Sequence, residues 1–165
     1  MPERETIKRA QKDKREGKSP STQAGEFVRE EIHHVREGKH GARSTKQAIA
    51  IGLSKARQAG VKLPAPKKGE ASKRTRVAAK RALARGRRKS KTTSTRRSRA
   101  VRGALRRESH RTASKKALSR FARGAARRRS AADRSASARK AARTKGPAVR
   151  SAAAKKAART RARRS

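Results

Sequence analysis

The sequence predicts an all-α protein: a short helix–loop–helix hairpin followed by a largely disordered basic tail with helix-forming segments. Two observations predict this fold class. Apolar residues recur at helical spacing between residues 21 and 63. Charge is also uneven, since residues 1–70 hold 17 Lys and Arg against 9 Asp and Glu, whereas residues 71–165 hold 36 against 2. The back half therefore carries most of the net charge of +42.

Composition divides the chain into four segments. They are a mixed-charge N-terminal segment (1–20), the helical hairpin (21–63), a Pro/Lys/Gly linker (64–70) and a polycationic Ala/Arg/Lys/Ser-rich tail (71–165). Aromatic residues make up 1% of the chain and the apolar residues are mostly alanine, which buries little area. High net charge with low hydropathy is typical of disorder. We expect one small ordered region.

The first helix of the hairpin is predicted from Ser21 or Thr22 to about Glu37, with Gly38 as its stop. The second is predicted to begin after Ser44, whose side chain with Gln47 forms a capping box. Gly60 and Val61 are predicted to end it in a Schellman motif. The predicted hairpin core is Phe27, Val28, Ile32, Val35, Ile49 and Leu53. Because this core is small, we expect the hairpin to pair with a second copy or with a protein partner.

The stretch from Ser44 to Arg57, STKQAIAIGLSKAR, resembles a family of small basic bacterial proteins of unknown function. The resemblance covers roughly residues 19–64, and some relatives carry a plasmid stabilisation label. The tail is similar in composition to the C-terminal domain of linker histones and to bacterial histone-like proteins, although it favours arginine and contains little proline. The second resemblance implies binding to DNA without a nucleosome.

The tail contains two near-copies, residues 139–145 and 155–161, in an Ala/Arg/Lys-rich context. Alanine, arginine and lysine favour helices, but like charges four residues apart oppose them. We therefore expect the free tail to be mostly disordered and to gain helix on a polyanion.

A polycation of this density predicts binding to nucleic acid through phosphate contacts. Arginine pairs suit bidentate phosphate contacts. The predicted nucleic-acid-binding residues are Arg87, Arg88, Lys89, Arg96, Arg97, Arg106, Arg107, Arg127, Arg128, Arg129, Arg139, Lys140, Arg143, Lys155, Lys156, Arg159, Arg161, Arg163 and Arg164.

Double-stranded DNA is the favoured partner, because single-strand and RNA modules stack bases on aromatic side chains. Phe27 and Phe121 are the two aromatics, and both occupy apolar helical positions. The sequence thus favours a histone-like nucleoid protein that coats or condenses DNA. Two alternatives stay open: a ribosomal or RNA-binding protein, and an adaptor whose hairpin tethers a partner protein to DNA in plasmid maintenance. A membrane partner is not expected, since the tail lacks a large apolar face.

Catalytic and metal-binding motifs are absent from the sequence. It has no cysteine, no phosphate-binding loop of Walker spacing and no HExxH motif. His33, His34 and His40 lie near Glu30, Glu31 and Glu37, but adjacent histidines on a helix point about 100° apart. We expect no enzyme activity, no cofactor and no metal site. Without a secretory signal or a long apolar run, the predicted location is the cytoplasm, on the nucleoid.

Overall fold

The protein is all-α, as predicted, in a computed structural model that describes residues 2–87 and 94–163. The chain divides into two compact units, one ending at Phe121 and the other beginning at Ala122. The helices are α1 (Arg4–Arg15), α2 (Pro20–Arg36), α3 (Thr45–Gln58), α4 (Lys73–Arg87), α5 (Thr95–Arg106), α6 (Lys115–Arg127) and α7 (Ala131–Ala162), with a 3₁₀ turn at Arg111–Ala113.

The prediction of a largely disordered tail is wrong. Helices α4 to α7 account for most of the described residues beyond 71. The intrinsic helix preference of alanine, arginine and lysine outweighs the repulsion between like charges. Serine caps add to it: the backbone N–H of Ala117 donates to Ser114 Oγ (3.2 Å) and that of Asp133 to Ser130 Oγ (3.0 Å).

Both predicted ends of α3 are confirmed. The backbone N–H of Gln47 donates to Ser44 Oγ at 3.2 Å, which caps the start of the helix. At the other end Gly60 has a φ of 91°, and the N–H of Val61 donates to the carbonyl of Ala56 at 3.1 Å. That bond is the six-to-one bond of a Schellman motif.

The buried face of α3 differs from the predicted one. Phe27, Ile32 and Val35 of α2 are buried as predicted, but Val28, Ile49 and Leu53 are only half-buried. Small residues face α2 instead, namely Thr45, Ala48, Gly52 and Ala56. The reason is the close approach of the two backbones, since a Cβ atom added at Gly52 would lie 2.6 Å from the Cα atom of Val28.

Neighbouring helices cover the hairpin on two sides. Helix α1 packs on α2 and buries Thr6 and Ala10, so the mixed-charge segment belongs to the core. Helix α4 packs on α3 and buries Ala79 and Ala82. Segments of the same chain therefore bury apolar surface that the sequence assigned to a second copy or a partner.

A segment of the predicted tail, residues 105–113, docks on the turn between α2 and α3. The backbone N–H of Ala42 donates to the carbonyl of Ser109 at 3.1 Å. Arg36 Nε donates to the carbonyl of Ala113 at 2.8 Å, and the Ala113 side chain is fully buried. These contacts place the end of the first unit at Phe121, well beyond the predicted linker at 64–70.

Helix α7, in the second unit, is interrupted at one residue. Gly146 has φ 67° and ψ 169°, which is not helical, and Pro147 follows it. A φ and ψ of this kind are accessible essentially to glycine alone, and proline fits the first turn of a helix. Helix α7 therefore consists of two helical segments, 131–145 and 147–162. Among the described helices, none combines the length and apolar character needed to cross a membrane.

Candidate nucleic-acid interface

The C-terminal unit presents a dense array of exposed cations. Residues 122–165 contain sixteen Lys and Arg against one acid, Asp133. That acid is engaged locally, because Ser130 Oγ donates to its carboxylate at 2.7 Å at the start of α7. Along α7 every residue is exposed except Ala142 and Gly146, which are half-buried. The cations therefore face solvent.

The two near-copies in α7 put cations on one side of each helical segment. Arg139, Lys140 and Arg143 in the first copy correspond to Lys155, Lys156 and Arg159 in the second, and all six are exposed. Positions i, i+1 and i+4 fall within an arc of about 100° on a helix. Each copy thus forms a three-cation patch suited to neighbouring phosphates. We call residues 155, 156 and 159 the distal patch.

The arginine triplet before α7 is not equally available. Arg127 and Arg128 are exposed. Arg129 Nη2 donates to the carbonyl of Asp133 at 2.9 Å and also to the hydroxyl of Ser137. A phosphate that binds Arg129 would therefore have to compete with these two hydrogen bonds.

The other predicted residues are distributed along the chain. Arg96, Arg97 and Arg106 lie on α5 and Arg107 directly after it, and all four are exposed. Arg161 and Arg163 are exposed at the end of α7. Arg87 is the last residue of α4, whereas Arg88, Lys89 and Arg164 lie outside the described residues.

Sequence reasoning missed a basic face on α4. Lys73, Arg74, Arg81 and Arg85 line one surface with Ser54 and Gln58 of α3. Their positions recur at helical spacing, on the side away from the buried Ala79, and that periodicity could have identified them. The prediction was based on adjacent arginines, and these four residues are not among them.

Acids of the first unit are engaged within it. Arg9 Nε donates to Glu26 at 2.7 Å. Lys18 Nζ lies 2.8 Å from an Asp13 oxygen and 2.7 Å from a Glu16 oxygen. Hydrogen bonds to Asp13 and then to Glu16 raise the pKa of Lys18, and the bond from Lys18 lowers the pKa of Glu16. The charges of Arg9 and Lys18 are therefore neutralised locally by acids of the same unit.

A buried polar cluster joins α2, α3 and the turn between them. It consists of Glu30, Glu31, His34, His40 and Lys55, and the two glutamates are 4% and 0% exposed. Lys55 Nζ lies 2.6 Å from Glu31 Oε2 and 3.5 Å from Glu30 Oε1. The sequence did not indicate the burial of these glutamates.

The cluster also gathers candidate metal ligands. One ligand atom each from Glu31, His34 and His40 lies within 4.8 Å of the others. His33, the neighbour of His34, is exposed and takes no part, in line with the angular separation of adjacent helical residues. The sequence analysis predicted no metal site, whereas the spacing of these three side chains is compatible with one.

A protein-family model described as a family of unknown function (DUF6496) matches residues 5–68. The match covers α1, α2, α3 and the segment after α3, and it agrees with the expected resemblance to a family of unknown function. No curated protein and no solved structure matches the chain.

Proposed function

We propose that the protein is a histone-like protein that coats and condenses double-stranded DNA without strong sequence preference. The observation that carries the proposal is the exposure of the cations along α7 in a unit that holds a single acid. A surface of this kind repels itself in water and gains free energy when it displaces counterions from a polyanion.

Charge sets the scale of the interaction. The second unit carries fifteen net positive charges. One charge per phosphate corresponds to about 25 Å of duplex, since B-DNA carries one phosphate per about 1.7 Å of axis. Each helical segment of α7 is about 23 Å long at 1.5 Å per residue. Each segment can therefore lie along about seven base pairs, and the break at Gly146 lets the two segments take different directions.

The lack of available aromatics favours duplex DNA over single strands. Phe27 is buried at 1% exposure, and Phe121 is half-buried. Neither is an exposed aromatic side chain, and stacking of bases on such side chains is the usual means of holding single-stranded nucleic acid. Contacts to the phosphate backbone need no aromatics and read no sequence.

The compositional similarity of the tail to linker histones supports the same mode of binding. The plasmid stabilisation label of some sequences that the hairpin resembles fits a protein that resides on DNA. An adaptor role would require a protein partner for the first unit, and a ribosomal role would require preference for structured RNA. Both are outcomes of the tests below.

A salt titration of the full-length protein against a matched 40-base-pair duplex tests the proposal. Phosphate contacts contribute about −0.9 each to the slope of log K against log salt. We expect a slope steeper than about −6 and equal affinity for duplexes of unrelated sequence. A slope near −1 or a strong dependence on sequence would contradict the coating mechanism.

A further inference from the structure

The buried polar cluster has the composition of a transition-metal site. Glu31 and His34 are three residues apart on α2, and His40 lies in the turn that follows the helix. Their candidate ligand atoms lie within 4.8 Å of one another. Glu31 is fully buried, and its carboxylate points into the cluster between His40 and Lys55.

Hydrogen bonds indicate which ring nitrogen of each histidine carries a proton. His34 Nε2 lies 2.8 Å from Glu3 Oε1, and His40 Nδ1 lies 3.0 Å from the carbonyl oxygen of Gly41. A carbonyl and a carboxylate can only accept, so each of these nitrogens carries the proton. In the neutral form of each ring, this leaves a lone pair on His34 Nδ1 and on His40 Nε2. Protein-bound metals commonly use histidines held this way by a carboxylate or a carbonyl.

The free nitrogens face carboxylate oxygens that accept no hydrogen bond. His40 Nε2 lies 3.3 Å from Glu31 Oε1, and His34 Nδ1 lies 4.0 Å from Glu30 Oε1. Both oxygens are buried without a hydrogen-bond donor. Two lone pairs facing each other at such a distance repel unless a proton or a metal ion lies between them. The 3.3 Å separation matches the edge of a tetrahedron with metal–ligand bonds of about 2.0–2.1 Å.

Lys55 balances part of the charge without closing the site. Its ammonium contacts Glu31 Oε2 at 2.6 Å, on the opposite oxygen from the one that faces His40. With Glu30 and Glu31 ionised and Lys55 protonated, the cluster keeps one net negative charge. Lys39, which contacts Glu3 at 3.5 Å, lies beyond the histidines and is half-exposed. The cluster can therefore hold one more cation.

We propose that Glu31, His34 and His40 bind Zn²⁺, with Glu31 Oε1, His34 Nδ1 and His40 Nε2 as ligands. Two imidazoles and one carboxylate form a donor set that suits zinc, and no thiolate is needed. Glu30 Oε1, which lies 4.0 Å from His34 Nδ1 and 3.5 Å from Lys55 Nζ, is the candidate for the fourth position. The candidate ligand atoms lie within 4.8 Å of one another, so rotations of the histidine side chains would be needed to reach the edges of a tetrahedron.

The location of the site gives the metal a structural consequence. His40 adjoins Gly41 and Ala42, whose backbone N–H groups bind the carbonyls of Leu105 and Ser109. A zinc ion that ties His40 to α2 fixes the turn on which residues 105–113 dock. Zinc would thereby strengthen the connection between the hairpin and the more basic part of the chain.

Isothermal titration of metal-free full-length protein with ZnCl₂ tests this proposal. The titration is run at about 0.3 M NaCl so that the positive charge of the chain is screened. We expect one zinc per chain and the same affinity in H33N, because His33 is exposed next to the site. H34N, H40N and E31Q are expected to weaken binding by about 100-fold or more, beyond the 10–100-fold typical of outer contacts.

Cobalt substitution supplies a second readout. Co²⁺ bound by two histidines and one carboxylate in a four-coordinate site gives intense visible absorption. The H33N control keeps all three ligands and should give the same spectrum, whereas H34N, H40N and E31Q should lose it. Circular dichroism of each variant shows whether the helices persist. Absence of saturable one-to-one binding, or equal binding by H40N and the unsubstituted protein, would overturn the proposal.

Discussion

Arg36 and Ala113, 77 positions apart, meet in a hydrogen bond of 2.8 Å from the guanidinium Nε to the backbone carbonyl. The Ala113 side chain is fully buried beside Ile32 and Val35. Through this contact a segment of strongly basic sequence forms part of the core of the first unit. The ordered part of the protein is thus larger than the hairpin alone.

Replacement of Arg36 by Met should loosen the docked segment. The substitution keeps most of the apolar stem and removes the donor to Ala113, so a buried carbonyl loses its partner at a cost of about 1–3 kcal/mol. Urea unfolding should show this loss, and amide exchange should increase at residues 111–113. Arg43→Met, at an exposed position near the same turn, is the control and should change the free energy of unfolding by less than about 0.5 kcal/mol. Equal effects of the two substitutions would show that the contact does not stabilise the unit.

Replacement of Gly52 by Ala should destabilise the first unit. A Cβ atom there would lie 2.6 Å from Val28 Cα, so α2 and α3 must move apart. Overpacking costs about 1–3 kcal/mol, against a gain of about 1 kcal/mol in helix propensity. Gly25→Ala is the matched control, since nothing lies within 4 Å of the added atom, and it should stabilise α2. A Gly52→Ala protein as stable as the Gly25→Ala protein would rule out the close packing of the two helices.

Neutralising the distal patch should lower the salt dependence of DNA binding. Changing Lys155, Lys156 and Arg159 to Gln removes three phosphate contacts, which should reduce the slope of log K against log salt by about 3. Changing Lys8, Lys12 and Lys18 to Gln removes the same charge from side chains that pair with acids of the first unit. This control should change the slope by less than about 1. Equal changes in the two slopes would indicate that net charge alone governs binding.

The free protein should be helical before it meets DNA. Circular dichroism at low salt should already show the helices of the tail, and helicity should rise modestly toward about 0.5 M NaCl as repulsion between like charges is screened. Added duplex should change the helical signal little. A coil spectrum that becomes helical only with DNA would restore the disordered tail that the sequence predicted.

Local signals in the sequence predicted local structure well. The cap at Ser44 and the Schellman motif at Gly60 depend on residues close in sequence, and both are confirmed. The burial of Glu31 and the docking of Ala113 depend on contacts between distant residues, which no periodicity reports. The tail was misjudged because repulsion between like charges was weighted above the helix propensity of alanine and arginine.

Part of the candidate interface could also be predicted. The exposure of Arg139, Lys140 and Arg143 follows from a segment whose apolar residues are alanines, with Val149 as the one large aliphatic side chain of α7. The local engagement of Arg129 could not be predicted, because it depends on the path of the chain into α7. The basic face of α4 could have been predicted from the helical spacing of its lysine and arginines.

Competition between a 40-base-pair duplex and a structured RNA of equal charge, at about 0.15 M salt, tests the central proposal most directly. The full-length protein is incubated with labelled duplex, and unlabelled duplex, RNA or single-stranded DNA is added. The account predicts that unlabelled duplex of any sequence displaces the probe at least as well as RNA does. Displacement by structured RNA at tenfold lower concentration would contradict DNA coating and assign the basic helices to RNA.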